Sequence, residues 1–413
     1  MAAAKKKSNN PFVLFMNAAL VVSALGYFVD VFDLYVFSIV RTQSLSDLGI
    51  TGDAATKTGL FLMNMQMAGM LIGGVFWGVL GDKKGRLSVL FGSILLYSIA
   101  NLANAFVHDV SSYAVCRFIA GLGLAGELGA GITLVAESLP KEKRSLGTTF
   151  VASIGVAGAI VASLVGGLLP WRTVYMIGGF LGLALLIARG TVFESQLFSK
   201  TSQTSVKRGK FLALFNNFKR FRHYIACILM GVPTWYIAGV LITLSPELAK
   251  QMGITEPVKA AYAVLTYAIM ITVGDVVSGL LSHFLKSRKK VLSTALVFLG
   301  TMIAWFFIWP PVTAMSFYMM FGAMGFFLGT WAVLITMTSE LFGTNLRNTA
   351  TSTVPNFIRG STILLNLGVT SLAFIGLLPA VEIIGAVVVI LAILASLSIP
   401  ETYHRDLDFN EKI

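Results

Sequence analysis

Apolar residues in this chain do not alternate with polar ones. They run on for twenty positions or more, and polar residues collect in short breaks between the runs. That pattern predicts helices buried on every side, not half-buried strands, and it argues against a membrane barrel. About twenty apolar residues are what a helix needs to cross a hydrocarbon core. Twelve such runs can be read, over 12–40, 58–80, 87–107, 112–138, 147–169, 172–192, 222–247, 258–284, 290–310, 313–339, 350–372 and 379–399. The first is too long for the core of a signal peptide, carries two Asp and lacks a cleavage site, so it is expected to remain as a spanning helix.

Composition agrees with the pattern. Of 413 residues, 56% are hydrophobic and 12% charged, and the mean hydropathy is +0.81, more apolar side chain than a soluble domain can cover. The net charge of +12 is a topology signal and not a nucleic-acid footprint. Of the 31 bases, 24 flank the helices on one side, including Lys5–Lys7, Lys83, Lys84, Arg86, Lys141, Lys143, Arg144 and the cluster from Lys286 to Lys290. The positive-inside rule then places both termini in the cytoplasm. Bacterial inner membrane is the expected location.

One long polar break, residues 191–220, divides six helices from six. The expected organisation is an amino-terminal bundle over 1–192, a cytoplasmic linker over 193–221 and a carboxy-terminal bundle with a short tail over 222–413. Phe and Leu interleaved with Lys and Arg suit the linker to lying along a membrane surface as well as to a solvated connection. The halves echo one another. Span 4 exits with Glu137 seven residues before Arg144, and span 10 exits with Glu340 seven residues before Arg347. Span 6 is followed by FES and span 12 by PET. GVLGDKKGR after span 2 has a worn counterpart, GLLSHFLKSRKK, after span 8. Duplicated halves are one known transporter architecture.

GVLGDKKGR, with Gly78, Asp82, Lys83, Gly85 and Arg86 in place, resembles the loop signature G-x-x-x-D-[RK]-x-G-[RK] of the major facilitator superfamily. The resemblance implies an all-α membrane protein of twelve transmembrane helices, arranged as two six-helix bundles related by pseudo-two-fold symmetry. It also implies that Gly78, Asp82, Gly85 and Arg86, with Glu137, Arg144, Glu340 and Arg347, act as a gate. Beside that reading, Gly81 and Gly85 would permit a tight reversal. Gly69, Gly73, Gly74 and Gly78 would let span 2 approach a neighbour closely.

Six ionisable residues fall within spans: Asp30, Asp33, Arg117, Glu127, Asp275 and Arg359. Each is costly in a membrane unless it faces a cavity or a partner, so each is a functional candidate. Asp30 and Asp33 share a face of span 1, and Arg117 and Glu127 belong to span 4, so an acid–base pair between those spans is expected. Such a group can load and release a proton as its partner comes and goes, which is what ion coupling requires. The D-x-x-D of span 1 and GLGLAGE of span 4 resemble the aromatic acid:proton symporters and their organic-ion relatives. That resemblance assigns proton coupling to Asp30, Asp33, Arg117 and Glu127.

In the second half, Arg359 is expected near mid-membrane, facing Asp275 or a substrate carboxylate. Asn356, Trp235, Tyr236 and Trp331 complete the expected substrate site, with Asp275. An aromatic cage with Arg359 suits an organic anion, and the same cage with Asp30 and Asp33 suits a cation. The residues alone leave that sign open, as they leave open whether the ion is hydrogen or sodium.

The leading expectation is proton-coupled symport of a small organic metabolite, an organic anion or aromatic acid, by alternating access in a monomer. A proton-driven drug or metabolite exporter is the first alternative, disfavoured because Gly158 is followed by Ala159 and not by the proline of a kinked exporter helix. A sugar or organic-cation transporter is another, and a scaffold that has lost transport a third. No nucleophile–base pair, phosphate loop or ATP module is legible, and the four histidines show no metal-ligand spacing. No enzyme, cofactor or metal is therefore expected; the partners are a small molecule, protons and lipid.

Overall fold

The computed structural model describes residues 18–84, 86–127, 131, 144–189 and 211–403. The described residues form helices and turns. Six lie in the first half: α1 Ala18–Asp47, α2 Gly52–Lys84, α3 Arg86–Asn104, α4 Val110–Leu124, α5 Arg144–Leu168 and α6 Trp171–Arg189. Seven longer helices lie in the second, with a short one at Ser245–Gln251 before α8: α7 Phe218–Trp235, α8 Ala260–Phe284, α9 Arg288–Ile308, α10 Ala314–Leu328, α11 Trp331–Leu341, α12 Thr344–Ser371 and α13 Leu377–Ser398. Helices α10 and α11 are one crossing interrupted at Gly329 and Thr330, so the thirteen longer helices among the described residues make twelve spans.

Among the described residues, nine stretches are long and apolar enough to cross a membrane, and Ser88–Asn104 and Val110–Leu124 are shorter apolar helices. Helix α12 completes the twelve; its Asn, Thr and Arg residues dilute its apolar character. Large apolar side chains stand on the outer surface, among them Ile187 at 79% exposed, Leu364 at 72% and Leu394 at 57%. In water such a surface would aggregate; in lipid it is solvated.

Helix packing repeats between the halves. In the first, α1 packs on α5 and α6, α2 on α4, and α3 on α4 and α6. In the second, α7 packs on α12 and α13, α8 on α10, and α9 on α10 and α13. The bundles meet through α2 against α12 and, reciprocally, α5 against α8. Each of these pairings has its counterpart, as a pseudo-two-fold axis demands.

Close approach explains why α2 and α4 carry glycine. A Cβ on Gly69 would collide with the Phe118 carbonyl, and one on Gly121 with that of Gln66. Backbones in van der Waals contact need residues without side chains. Gly74 faces elsewhere, toward Asn356 of α12, and Gly78 meets nothing within 4 Å. The glycine stripe therefore serves two neighbours. Helix α2 continues to Lys84 and α3 begins at Arg86, so Gly81 lies inside a helix and not in the turn expected of it. Gly85 and Glu137 lie outside the described residues.

Two prolines shape the second half. Pro233 interrupts α7, which continues as a π-helical segment, Tyr236–Leu241. Pro355 lies within α12. A proline removes one backbone donor and crowds the preceding turn, which bends the helix.

Candidate functional site

Among the described residues, polar clusters lie within and between the bundles. The first is at mid-depth. Asp30 sits about 18 Å along α1 and Arg359 about 22 Å along α12, at 1.5 Å per residue. Arg359 Nη2 donates to Asp30 Oδ2 at 3.3 Å, across the bundle interface. Both are buried, Asp30 at 0% exposed and Arg359 at 3%. Among the described residues, Asp30 Oδ1 and Arg359 Nη1 have no hydrogen-bond partner, although both atoms are buried. Tyr27, one turn back on α1, has its hydroxyl beside Arg359. Asp275 does not pair with Arg359 as expected. Its Oδ1 accepts from the Ala332 N–H at 3.2 Å, at the start of α11, where the broken helix leaves amides free.

The second cluster is inside the first bundle. Arg117 donates to Asn101 Oδ1 at 3.1 Å and Gln66 Oε1 at 3.4 Å. Its guanidinium lies 5.0 Å from the Tyr175 ring centroid and 5.9 Å from that of Phe37. Asp33 lies in its field. The carboxylate fits against Gly178 of α6, where any Cβ would overlap Oδ1, and Oδ2 has no partner among the described residues. So Asp33 and Arg117 share a buried polar chamber with Gln66 and Asn101.

Glu127, the third expected acid of this set, is committed elsewhere. Arg189, at the end of α6, grips it with two bonds of 2.9 and 2.6 Å, and Ser93 Oγ donates a third at 2.9 Å. Arg189 also donates to the Leu90 carbonyl at 2.7 Å. A base at a helix end ordinarily reaches the surface, but the Arg189 side chain turns inward, and α1 passes over the pair with Gly26, where a Cβ would strike both.

The fourth cluster closes the end of the molecule away from Lys84 and Arg86. Arg41, expected beyond span 1, is inside α1 and fully buried. Its Nη2 meets the Glu247 carboxylate at 2.6 Å and its Nε donates to the Thr243 carbonyl at 3.0 Å. Ser38 Oγ and Thr243 Oγ1 are 2.8 Å apart. One turn deeper, Tyr35 and Tyr267 bring their rings to 6.4 Å. All of these contacts join the two bundles.

At the basic end, Glu340 is held by Arg288, through Nε at 2.8 Å and Nη2 at 2.9 Å, and by Thr402 Oγ1 at 2.6 Å. Glu401, the acid of PET, accepts from the Ser287 hydroxyl and from the N–H groups of Arg288 at 3.0 Å and Lys289 at 3.2 Å, capping α9. Asp82, Arg86, Arg144 and Arg347 lie in helices, but their side chains are outside the described residues.

The aromatic cage does not assemble as expected. Tyr236 is fully buried and donates to the Val381 carbonyl at 2.9 Å, which fixes it in the packing of α7 on α13. Trp235 is 5% exposed in the core. Phe327 stacks on the half-exposed Phe298 at 5.3 Å, toward the lipid-facing surface. Trp331 begins α11 beside Asp275. Asn366 bridges the bundles, donating to Asn64 Oδ1 at 2.7 Å, and Asn356 packs against Gly74.

A family model described as Major Facilitator Superfamily matches residues 23–365. The chain belongs to that superfamily. It is accordingly an integral, multi-pass membrane transporter of small molecules and not an enzyme. Among characterised relatives, the chain is 27% identical over 370 residues to the sialic acid transporter NanX of Escherichia coli (strain K12), covering 86% of each chain. It is 27% identical over 347 residues to the cis,cis-muconate transport protein of Acinetobacter baylyi, covering 80% of this chain and 81% of that one. The crystal structure of a D-xylose–proton symporter superposes with a TM-score of 0.71 at 17% identity, covering 93% of this chain and 98% of the other. Both halves of this superfamily member thus follow a known fold.

Proposed function

We propose that this chain is a proton-coupled symporter of a small organic acid, working as a monomer in a bacterial inner membrane. The observation that carries it is Arg359: a buried guanidinium at mid-depth, facing the opposite bundle with an unpartnered donor. Guanidinium is the side chain best matched to a carboxylate, through its fork of donors. Relatives named as transporters of sialic acid, cis,cis-muconate and gentisate support the acid class, since each of those compounds carries a carboxylate.

In this reading Asp33 and Arg117 form the proton-handling chamber, with Asn101 and Gln66 holding the guanidinium while Asp33 changes charge. Glu127 and Arg189 fasten α4, α6 and α3 into one body. With 24 of its 31 bases on one side, the molecule has its basic end in the cytoplasm. Arg41, Glu247, Ser38 and Thr243 are then the external seal, and Glu340 with Arg288 belongs to the cytoplasmic gate.

The test is uptake into proteoliposomes of labelled nicotinate, gentisate, cis,cis-muconate and sialic acid, with and without an imposed inward proton gradient. At least one acid should accumulate only with the gradient. Arg359→Ala should abolish its uptake, and Asp33→Asn should abolish the response to the gradient. Accumulation that ignores the gradient, or an Arg359→Ala protein that transports normally, would remove the reading.

A further inference from the structure

Helix α13 reaches the basic end of the molecule between α7 and α9. The last turn of any helix leaves carbonyl groups without a partner in the helix, and here two bases from the neighbouring helices meet them. Arg222 of α7 donates from Nη2 to the Ser398 carbonyl at 3.2 Å. Lys289 of α9 donates from Nζ to the Leu397 carbonyl at 2.7 Å. Ser293 Oγ donates to Ser396 Oγ at 3.0 Å, and Glu401, just past α13, caps α9, so the ends of α9 and α13 are held together.

Capping accounts for one hydrogen bond per base and no more. An ammonium carries three donors and a guanidinium five, and each spends one here. The carbonyl end of a helix supplies roughly half a negative charge, against two full positive ones. Among the described residues, no carboxylate pairs with either base. Glu401 spends its oxygens on the Ser287 hydroxyl and on backbone N–H groups. Lys219, one turn before Arg222, and Lys290, next to Lys289, are exposed and add positive charge at this end.

The apolar surface stops at the same level. Leu394 and Leu397 are the last exposed apolar side chains of α13, and Phe218 stands exposed at the start of α7. Arg222 and Lys289 therefore lie where lipid tails give way to headgroups, the level that long basic side chains favour at helix ends.

We propose that the cytoplasmic end of α13, clasped by Arg222 and Lys289, binds the headgroup phosphate of an anionic phospholipid of the inner leaflet, with its acyl chains along Leu394 and Leu397. The phosphate oxygens take the donors that the carbonyls leave free, through charge-assisted bonds. Basic pockets between spanning helices on the cytoplasmic side suit such headgroups. A zwitterionic headgroup brings its own cation into the same basic rim and loses the advantage. The lipid ties α7, α9 and α13 together from outside, away from Arg359, so the proposal stands apart from the organic-acid reading.

The experiment measures the melting temperature of the full chain in an uncharged detergent, with phosphatidylglycerol, phosphatidylcholine of the same acyl chains, or glycerol phosphate added. A ligand that binds only the folded protein raises that temperature in step with its concentration over its dissociation constant. Phosphatidylglycerol should raise it by several degrees, and the other two should not. The double variant Arg222→Gln/Lys289→Gln keeps a donor for each carbonyl but removes both charges, and should lose most of the rise. Lys250→Gln/Lys259→Gln removes the same charge at exposed positions of the opposite end and should keep it. Should the first variant fold poorly, the wild type decides, because added salt must shrink the phosphatidylglycerol rise. An equal rise with phosphatidylcholine, or one reproduced by glycerol phosphate alone, would overturn the lipid site. So would an undiminished rise in the first variant, an equal loss in the second, or a rise that salt leaves unchanged.

Discussion

Substitution at Glu127 or Arg189 tests whether this pair is a structural tether or a working proton site. Both side chains are 1% exposed, and three charge-assisted bonds between 2.6 and 2.9 Å converge on the carboxylate from Arg189 and Ser93. Glu127→Gln keeps the shape but strips the charge, leaving the Arg189 guanidinium buried without a counter-ion. Arg189→Met leaves the reverse. Removing one member of a buried pair costs about 3–5 kcal/mol, whereas replacing both with neutral groups of similar volume is often close to neutral. The two single variants should therefore each lose about 3–5 kcal/mol, and the double variant Glu127→Gln/Arg189→Met should recover most of it. Chemical unfolding of all four proteins in one detergent, closed as a double-mutant cycle, gives the coupling directly. Proton-driven uptake by correctly folded Glu127→Gln should keep its pH dependence. Losses below about 1 kcal/mol that simply add, or a Glu127→Gln protein that folds normally but no longer couples, would refute the tether and return Glu127 to the proton path.

Three further outcomes follow from the geometry. Glu247→Gln leaves the buried Arg41 guanidinium without its carboxylate, so labelling of a Ser38→Cys reporter by a membrane-impermeant maleimide should rise several-fold over the same reporter with Glu247 intact; unchanged labelling would place the seal elsewhere. At Glu401, burial opposes the charge, but the Ser287 hydroxyl and the backbone N–H groups of Arg288, Tyr403 and Thr402 outweigh it and hold the carboxyl down to about 2 from an ordinary 4.5. A depressed pKa stabilises above 4.5 and loses that contribution as pH falls toward 2, so Glu401→Gln should melt below wild type at pH 7 and converge with it near pH 2; an equal deficit at both pH values would sink the assignment. Gly69→Ala puts a Cβ into the Phe118 carbonyl, whereas Gly279→Ala enters open space; overpacking typically costs about 1–3 kcal/mol, so only the first should lower the melting temperature.

The sequence by itself determined the architecture. Apolar runs long enough for a bilayer leave a chain few alternatives, because backbone polar groups in lipid must be satisfied within the helix. The duplicated Glu-to-Arg spacing and the worn second copy of GVLGDKKGR announced the halves before any packing was known. The rarity of charge inside spans also singled out Asp30, Asp33, Arg117, Glu127, Asp275 and Arg359. What it did not determine was the pairing. Partners are set by which helix faces converge, and neighbouring spans here are often far apart in sequence: Arg359 meets Asp30 across 329 positions, and Arg41 meets Glu247 across 206. Arg189 sits at the end of α6 and Arg41 just past the apolar run of the first span, where a base ordinarily snorkels to the surface; only the fold shows that Arg41 is inside α1 and that both guanidiniums turn inward. Tyr236 misled for the converse reason. Its residue type suits a pocket, but a bound hydroxyl in a helix contact commits it to the core. Helix spacing is a local property of the chain, and electrostatic partnership is a property of the assembled bundle.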